Sequence, residues 1–429
     1  MNLLKTMVQN EYKIIEPKTI SQKFFYHTLK YAKNGELHVV LNDNERFVFG
    51  EKNEKEPAFL FVKNPNFFRR VLWFGDIGFA EAYMNGEFET NDLYRLLEWF
   101  LDNADSIPIF VLSNAKNSLI NIFEIFNFVL HKFRKNTLKK SKENIAYHYD
   151  LSNEFYQLML DETLTYSSGI YFPNDTKNLT SAQISKYEKI CRKLNLKPYM
   201  HILEIGSGWG GFAKYVAENY HCYVDTITIS EKQYMFVKEL IERNSLSDRI
   251  RVYFLDYRLL DPKKFGLYDR VVSIEMAEAV GYEYFPEYFK TIEKMLKSDG
   301  LALIQYINYP EYAYKKYLKT TDFIQKYIFP GGQLLSHYEV LKALQETKLC
   351  MYDLESFGLS YAETLKSWRN NFLNNLEKIK ALGFDDKFIR MWLYYLIYCE
   401  VGFRKRYVNV SQILLSRPMN KDLIDGVYF

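Results

Sequence analysis

The sequence predicts an α/β protein in two parts, a small N-terminal α+β domain followed by a doubly wound sheet with a helical cap. Three observations lead to this prediction. Strand-like and helix-like patterns alternate between residues 201 and 307, as expected for a doubly wound sheet. Short β-like runs separated by turn-prone stretches occupy residues 20–64. The length of 429 residues is sufficient for two or three domains.

Composition excludes several classes of protein. Lys and Arg number 56 against 53 Asp and Glu, so the net charge of +3 is too small for nucleic-acid binding by bulk charge. The four cysteines form no CxxC pair, which favours a reducing compartment and a cytoplasmic location. No run of 18 apolar residues predicts a membrane-spanning helix, and the first residues do not have the pattern of a secretory signal.

The N-terminal part, residues 1–106, reads as strands and then helices. Strand-like runs begin at Leu37, Arg46 and Ala58. Helical spacing of apolar residues follows over 66–101, and the stretch Gly75–Phe88 places glycines where turns are plausible. This part shows no cluster of catalytic residue types.

Residues 107–142 form a joint between the two parts. The stretch Leu119–Phe133 is apolar and aromatic, and a series of lysines and an arginine follows it up to Lys142. A helix of this kind lies in a membrane interface or, equally, is a buried helix that leads into a solvated linker. The sequence alone leaves both interpretations open.

The remaining residues, 143–429, carry the chemistry. Strands are predicted at Tyr223–Ser230, Arg249–Leu260, Tyr268–Met276, Leu301–Ile307 and Val408–Ser416, with a helix from Glu231. Ligands of open α/β sheets lie over the carboxyl ends of the strands. Those ends hold Glu204, Thr228, Asp256, Glu275 to Glu278, and Gln305 to Ile307.

A glycine-rich turn follows the first strand of this part. His201–Glu218 reads as a strand, a turn with glycines at 206, 208 and 210, and a helix. The acid Glu204 precedes the glycines, and a carboxylate there suits a cationic ligand better than a pyrophosphate. The pattern resembles motif I of class I methyltransferases, which have a Rossmann-like doubly wound sheet and bind S-adenosylmethionine.

Further motifs make the resemblance specific. They are Ala146–Phe172, LEIGSGWGG, TISEKQ, DYR, Glu275–Phe285, Tyr327–Leu334, Phe357–Arg369 and Gly402–Pro418. In this order they resemble cyclopropane-fatty-acyl-phospholipid synthases, which are similar to the mycolic acid cyclopropane synthases. The match covers almost all of residues 140–420, and Gly75–Phe88 resembles the family's N-terminal signature. The details are more similar to the plant-type branch than to the enterobacterial one.

The resemblance implies a reaction. S-adenosylmethionine gives its methyl to a cis double bond of a phospholipid acyl chain, a carbocation forms, and loss of a proton from the new methyl closes a cyclopropane. The family uses a bound bicarbonate as the base. The implied bicarbonate site consists of Ser168, Glu278, Gln305, Ile307 and Tyr361. Glu278 would anchor the bicarbonate hydrogen, Tyr361 would donate its hydroxyl, and Ile307 would contribute backbone.

Two positions depart from the enterobacterial pattern. Ser168 stands where that pattern has Cys, and Gln305 stands where it has His. Gln keeps a donor and an acceptor but cannot titrate, so a hydrogen-bonding role survives and a proton relay does not. Branches with Gln include enzymes that make methyl- or methylene-branched chains. A branched product is therefore the alternative to a cyclopropane, and a non-catalytic lipid-binding homologue is a third hypothesis.

The resemblance also implies a cofactor site. Its residues are Tyr147, Tyr149, Thr165, Tyr166 and Ser167 from a lid over the methionine part, Glu204, Gly206, Ser207 and Gly208 at the turn, Thr228 and Gln233 near the ribose, and Asp256 and Tyr257 beside the adenine. Asp225 is interpreted as structural or exposed at an edge. Cys399 falls where the family carries an active-site cysteine, and its apolar neighbours favour pocket lining over a nucleophile.

Other expectations concern metals, partners and the cap. The seven histidines form no HxxH or HExxH arrangement, so we expect no metal; a structural role is favoured for His148. Residues 310–400, including Thr364–Gly383, are expected to form a cap with an acyl-chain tunnel or an ordinary helical layer. As partners we expect a phospholipid bilayer, bound peripherally with anionic lipids favoured, and a second copy in a homodimer.

Overall fold

The computed structural model describes residues 12–41, 45–107, 152–172, 178–421 and 423. The N-terminal elements are β1 (Lys13–Ile14), α1 (Ile20–Leu29), β2 (Leu37–Val40), β3 (Glu45–Phe49), β4 (Ala58–Val62), α2 (Asn66–Met84), β5 (Phe88–Thr90) and α3 (Leu93–Asp102). The five strands form one mixed sheet in the order β1-β3-β2-β4-β5. The three strand-like runs predicted from the sequence are confirmed. Ile20–Leu29, in the region expected to hold short β-like runs, is instead a helix, and β5 interrupts the helical region predicted over residues 66–101.

Helix α2 is bent at a glycine. Gly75 has φ 55° and ψ −129° inside the helix, a conformation that residues with a Cβ rarely adopt. Three residues later the helix passes close to its own first half, because a Cβ on Gly78 would lie 2.4 Å from the carbonyl oxygen of Arg70. At Gly75 and Gly78 the predicted turn is therefore a bend within a continuing helix. Gly86, with φ 68°, lies in the turn that follows the helix, as predicted.

The larger part contains a seven-stranded sheet in the order β11-β12-β10-β9-β6-β7-β8. Its strands are β6 (His201–Ile205), β7 (Tyr223–Thr228), β8 (Ile250–Phe254), β9 (Tyr268–Ile274), β10 (Leu296–Asn308), β11 (Cys350–Ser356) and β12 (Asn409–Ser416). Strands β8, β7, β6, β9 and β10 are parallel, whereas β12 runs antiparallel to both of its neighbours. The predicted doubly wound sheet is confirmed.

Helices connect and cover these strands. They are α4 (Asn153–Met159), α5 (Leu179–Lys193), α6 (Gly211–Tyr220), α7 (Glu231–Arg243), α8 (Pro262–Phe265), α9 (Phe285–Met295), α10 (Glu311–Tyr317), α11 (His337–Leu344), α12 (Gly358–Asn374), α13 (Leu376–Ala381) and α14 (Asp386–Arg404). The described residues also include three short 3₁₀ turns, at Tyr257–Leu259, Ala277–Ala279 and Tyr282–Tyr284, and a π-helical turn at Ile324–Ile328.

The structure corrects several predicted boundaries. Strand β11 lies in the region expected to be cap, and it was missed because it is a largely exposed edge strand without an apolar alternation. Strand β10 begins five residues before the predicted Leu301, and β8 ends at Phe254 instead of Leu260. The predicted cap helix Thr364–Gly383 is divided between α12 and α13.

The two parts of the chain share one hydrophobic core. Helix α14 packs on α12 and also on α2 and α3 of the N-terminal part. Arg390 of α14 bridges the parts: its guanidinium lies 4.1 Å from the ring centre of Tyr83, donates to the backbone oxygen of Phe88 at 3.0 Å and pairs with Glu89 at 2.9 Å. This shared core holds the cap over the carboxyl ends of the strands.

The predicted apolar stretch Leu119–Phe133 and the basic residues after it lie outside the described residues. Within the residues that the structure describes, no helix is both long enough and apolar enough to span a membrane. Both interpretations of the joint stay open.

Candidate active site

A cavity of about 1040 Å³ opens above the carboxyl ends of β6, β7, β9 and β10. One end is lined by the glycine turn, by acidic side chains at the strand ends and by residues of 164–167. The other end runs under the cap to the N-terminal part, where the lining includes Phe25, Leu29, Leu72, Phe74, Ile77, Phe100 and Leu101. A single cavity thus joins a polar end to an apolar branch.

The glycine turn approaches the polar end of the cavity closely. Gly206, Gly208 and Gly210 have φ of 99°, 49° and 85°. The backbone N–H groups of Gly206 and Ser207 donate to the carbonyl of Ile227 at 3.1 and 2.9 Å, which fixes the turn against β7. A Cβ on Gly208 would meet no protein atom within 4 Å, so the turn leaves room for a ligand there.

Glu204 places a carboxylate beside this turn. It pairs in register with Thr226 of β7, whose hydroxyl donates to the Glu204 carboxylate at 2.6 Å. Burial raises the pKa of Glu204 to about 8, opposed by the Thr226 hydroxyl and the charge of Lys186. A buried acid of this kind gains most from a cationic group placed in the cavity, as expected from the sequence.

The segment predicted as a lid lies over the same end of the cavity. Thr165, Tyr166 and Ser167 all line it. The Tyr166 hydroxyl is 2.9 Å from that of Tyr395 in the cap, and the Thr165 hydroxyl is hydrogen-bonded to that of Tyr187. Three further residues of the predicted lid region, Tyr147, His148 and Tyr149, lie outside the described residues.

Polar side chains after β7 and β8 also line the cavity, but most are already paired. Thr228 donates to the side-chain oxygen of Gln233 at 2.9 Å, and the carboxylate of Asp256 pairs with Arg258 at 2.7 Å. Tyr257 is buried beside them. Asp225 accepts from Tyr268 at 2.7 Å, which agrees with its interpretation as structural.

Glu275, the first residue after β9, is the centre of a hydrogen-bond network. Its Oε1 accepts from the backbone N–H of Ser168 at 2.9 Å and from Nε2 of Gln305 at 2.7 Å. Its Oε2 accepts from the hydroxyl of Tyr361 at 2.8 Å. Glu275 lines the cavity, so these contacts hold a carboxylate at its polar end. Sequence reasoning placed Glu275 at a strand end but assigned it no role.

The network changes the predicted bicarbonate site. Ser168, Gln305 and Tyr361 come together as expected, but each of them donates to Glu275. The Ser168 hydroxyl donates to the backbone of Gly169, and the Gln305 side-chain oxygen accepts from Gln412 at 3.0 Å. Neither Ser168 nor Gln305 is part of the cavity lining. The residues present therefore do not fit a bicarbonate ion, because a resident carboxylate takes the donors expected to bind it.

Glu278 is held separately from this network. Its Oε1 accepts from the backbone N–H of Ile307 at 2.6 Å, so that donor is also engaged. Its buried Oε2 has no hydrogen-bond partner among the described residues. Burial, and then the charge of Glu275, raise the pKa of Glu278 to about 8. At neutral pH Glu278 is therefore mainly protonated, which avoids two neighbouring buried charges.

Lys186 is a cavity residue that the sequence analysis missed. Its ammonium nitrogen donates to the hydroxyl of Ser167 and to the side-chain oxygen of Gln183, both at 2.7 Å. Burial lowers the pKa of Lys186 to about 7, while the charges of Glu275, Asp161 and Glu204 oppose the shift. Its helical spacing could have identified it, because Lys186 lies three residues after Gln183 and therefore on the same, buried face of α5.

Cys399 lines the cavity from α14. Burial raises the pKa of its thiol, so the thiolate needed by a nucleophile is disfavoured. This placement agrees with pocket lining. Among the described residues no group of three or more His, Cys, Asp or Glu side chains could hold a metal ion. The expectation of no metal stays a prediction.

The chain matches a family model. Residues 136–413 match that of mycolic acid cyclopropane synthetase. Over 377 residues the chain is 34% identical to the tuberculostearic acid methyltransferase of Mycobacterium tuberculosis, covering 86% of this chain and 85% of that protein. Over 375 residues it is 34% identical to the cyclopropane-fatty-acyl-phospholipid synthase of Escherichia coli K12, covering 86% and 91%.

Solved structures resemble the larger part of the chain. A cyclopropane synthase from Mycobacterium tuberculosis superposes with a TM-score of 0.59 at 28% identity, covering 64% of this chain and 98% of that one. A mycolic acid cyclopropane synthase complexed with SAH and CTAB gives the same TM-score at 30% identity, with the same coverage. The predicted class I methyltransferase fold is thereby confirmed.

The raised pKa of Glu278 predicts a pH-dependent stability. In the unfolded chain Glu278 loses its proton near its ordinary pKa of 4.5, whereas in the folded chain burial raises the pKa to about 8. Between these two pH values only the folded chain holds the proton. The resulting stabilisation is present at low pH and is lost as the pH rises through 8. Glu278→Gln removes this titration. Between pH 6 and pH 8 the variant should gain about 2 kcal/mol relative to the parent, measured by denaturant unfolding at each pH.

The control is Glu239→Gln, at a side chain that is 65% exposed. Its stability should follow that of the parent at every pH. If Glu278→Gln follows the parent equally closely, Glu278 does not hold a proton in the folded chain at neutral pH.

Proposed function

Because the chain belongs to the mycolic acid cyclopropane synthetase family and is an S-adenosylmethionine-dependent lipid methyltransferase, we propose that it acts on cis-unsaturated phospholipid acyl chains. The product we favour is a cyclopropane ring formed by addition of one methylene unit. The single observation that carries the proposal is the cavity, which connects an acidic glycine turn to a long apolar branch.

The polar end fits S-adenosylmethionine. The open space at Gly208 and the buried carboxylate of Glu204 suit a ligand with an amino group. When bound, this cofactor supplies an electrophilic methyl group. The protein's part is to hold the acceptor chain in line with that methyl, because an alkene is a weak nucleophile and alignment lowers the barrier.

The apolar branch fits an acyl chain. It is lined by side chains from the cap and from α1, α2 and α3, including Phe25, Leu72, Phe100 and Tyr398. Its length exceeds what a small methyl acceptor needs, because the lining extends from the glycine turn to the N-terminal part. We therefore propose that the N-terminal domain binds lipid by enclosing one arm of the acyl chain.

Aromatic rings near the Glu275 network suit a cationic intermediate. The rings of Tyr361 and Phe403 stack at 4.3 Å between centres, and the rings of Tyr166 and Phe329 line the same cavity. Ring faces attract cations and this apolar wall keeps water away. Both effects favour a carbocation that survives until its proton is removed.

A branched product is the alternative. Gln305 and Ser168 depart from the enterobacterial pattern, and one of the relatives is named a tuberculostearic acid methyltransferase. The expected use of bicarbonate receives no support from the Glu275 network, whose donors are occupied. The third hypothesis, a non-catalytic lipid-binding homologue, does not account for the buried carboxylates that line the cavity.

We also propose peripheral attachment to anionic membranes on the cytoplasmic side. The sequence of Leu119–Phe133 and the basic residues after it support attachment by an apolar helix and by charge. The expected homodimer stays a prediction.

The glycine turn gives a test of the cofactor site. In Gly208→Val the new side chain would enter the open space of the cavity, so affinity for S-adenosylhomocysteine should fall at least tenfold, about 1.4 kcal/mol, in calorimetry. The matched control is Gly266→Val. Gly266 also has positive φ and no atom within 4 Å of a Cβ, but it lies away from the cavity.

The control separates ligand exclusion from backbone strain, because both valines are placed at a positive φ, which residues with a Cβ rarely adopt. If the two variants bind S-adenosylhomocysteine equally, the space at Gly208 is not part of the cofactor site.

The function itself is tested by the lipid product. Purified protein, vesicles of a cis-monounsaturated phospholipid and S-adenosylmethionine should give acyl chains heavier by one CH₂, detected by mass spectrometry. NMR then distinguishes a ring from a branch, since both have the same mass. Saturated vesicles are the control and should give no product. Binding of the vesicles without any heavier chain would favour the non-catalytic alternative.

A further inference from the structure

We propose that the carboxylate of Glu275 is the group that removes the proton from the carbocation, in place of a bound bicarbonate. This inference rests on the proposed lipid methylation and names the base for it. It follows from the position of Glu275 in the cavity and from the three donors that hold it.

The hydrogen bonds leave Glu275 one open acceptor position. A carboxylate has about four lone-pair sites on its two oxygens. Among the described residues, Oε1 accepts two hydrogen bonds, from Ser168 and Gln305, whereas Oε2 accepts one, from Tyr361. The remaining site on Oε2 is therefore the one available to a substrate proton.

The backbone of Glu275 is held in an unfavourable conformation. Its φ is 50°, in the left-handed region that residues with a Cβ rarely adopt. Its N–H donates to the carbonyl of Gln305 at 2.8 Å, so β10 maintains this conformation. Strain of this kind persists where the surrounding structure enforces it, and it often marks a functional residue.

The electrostatics suit a base. Burial raises the pKa of Glu275, opposed by the Ser168 N–H, the charge of Lys186 and the donors on Gln305 and Tyr361. A raised pKa makes a carboxylate a better proton acceptor at neutral pH. A bicarbonate beside Glu275 would meet a like charge and would find these donors occupied.

The proposed step balances. The alkene electron pair forms the bond to the methyl carbon while the carbon–sulfur bond breaks, with its electrons left on sulfur. The new cation then loses a proton from that methyl to Oε2 of Glu275, and the released C–H electron pair closes the ring. Release of the proton from Glu275 to solvent restores the enzyme, and no oxidant or further reactant is needed.

The experiment compares three proteins in bicarbonate-depleted and bicarbonate-supplemented buffer: the parent, Glu275→Gln and Glu275→Gly. Product per unit time and S-adenosylhomocysteine affinity are measured for each. The parent should be unaffected by bicarbonate. Glu275→Gln should lose at least 100-fold of the product rate, because a general base contributes about that much or more. Its S-adenosylhomocysteine affinity should stay within a few-fold of the parent, which shows that it is folded.

Glu275→Gly provides a chemical rescue. Glycine adopts the positive φ without strain, and removal of the side chain frees the donors of Ser168, Gln305 and Tyr361 for an anion. Added bicarbonate should restore product formation to this variant and to neither of the other two proteins. Without added bicarbonate, water should add to the cation in this variant. The product would then be acyl chains heavier by one CH₂ and one H₂O.

Three results would overturn the inference. One is stimulation of the parent by bicarbonate, another is a Glu275→Gln variant as fast as the parent, and the third is a correctly binding Glu275→Gly that bicarbonate does not rescue. A parent that forms no methylated lipid under any condition would instead contradict the proposed function. The control Glu239→Gln, at an exposed side chain outside the cavity, should match the parent throughout.

Discussion

The hydrogen bonds to the Glu275 carboxylate tie together four separate parts of the chain. Glu275 follows β9, Gln305 lies in β10, Tyr361 lies in α12 of the cap, and Ser168 belongs to the segment over the cofactor end. A buried carboxylate without partners costs several kcal/mol, so the donors and the acceptor require one another. The network thus joins the cap and the lid segment to the strand ends at one point, the Glu275 carboxylate.

The shared core fixes the cap, which contributes Tyr361 to the network. Because α14 packs on both α12 and the N-terminal helices, the cap is fixed on the sheet side and on the N-terminal side. The cavity enclosed between these surfaces runs from a charged end to an apolar one. This polarity matches a reaction between a charged cofactor and a lipid chain, and it places the reacting atoms where the two environments meet.

Local features of the site could be predicted from the sequence, and long-range ones could not. Glu204 and the glycine turn lie within a few residues of one another, so their pattern is visible in the chain. The partners of Glu275 lie 30, 86 and 107 residues away, and no local pattern brings them together. The family resemblance named all three partners, but it assigned them to a bound anion. The carboxylate that they surround, that of Glu275, received no role from the sequence. Strand β11 was missed for another reason, since its exposed edge position removes the apolar alternation.

The most direct test of this account is a crystal structure of the protein with S-adenosylhomocysteine, grown in the presence of bicarbonate. We expect that the Glu275 carboxylate still accepts from the Ser168 N–H, from Gln305 and from Tyr361, with no planar anion between them. A bicarbonate ion bound by those donors, with the side chain of Glu275 turned away from them, would contradict it.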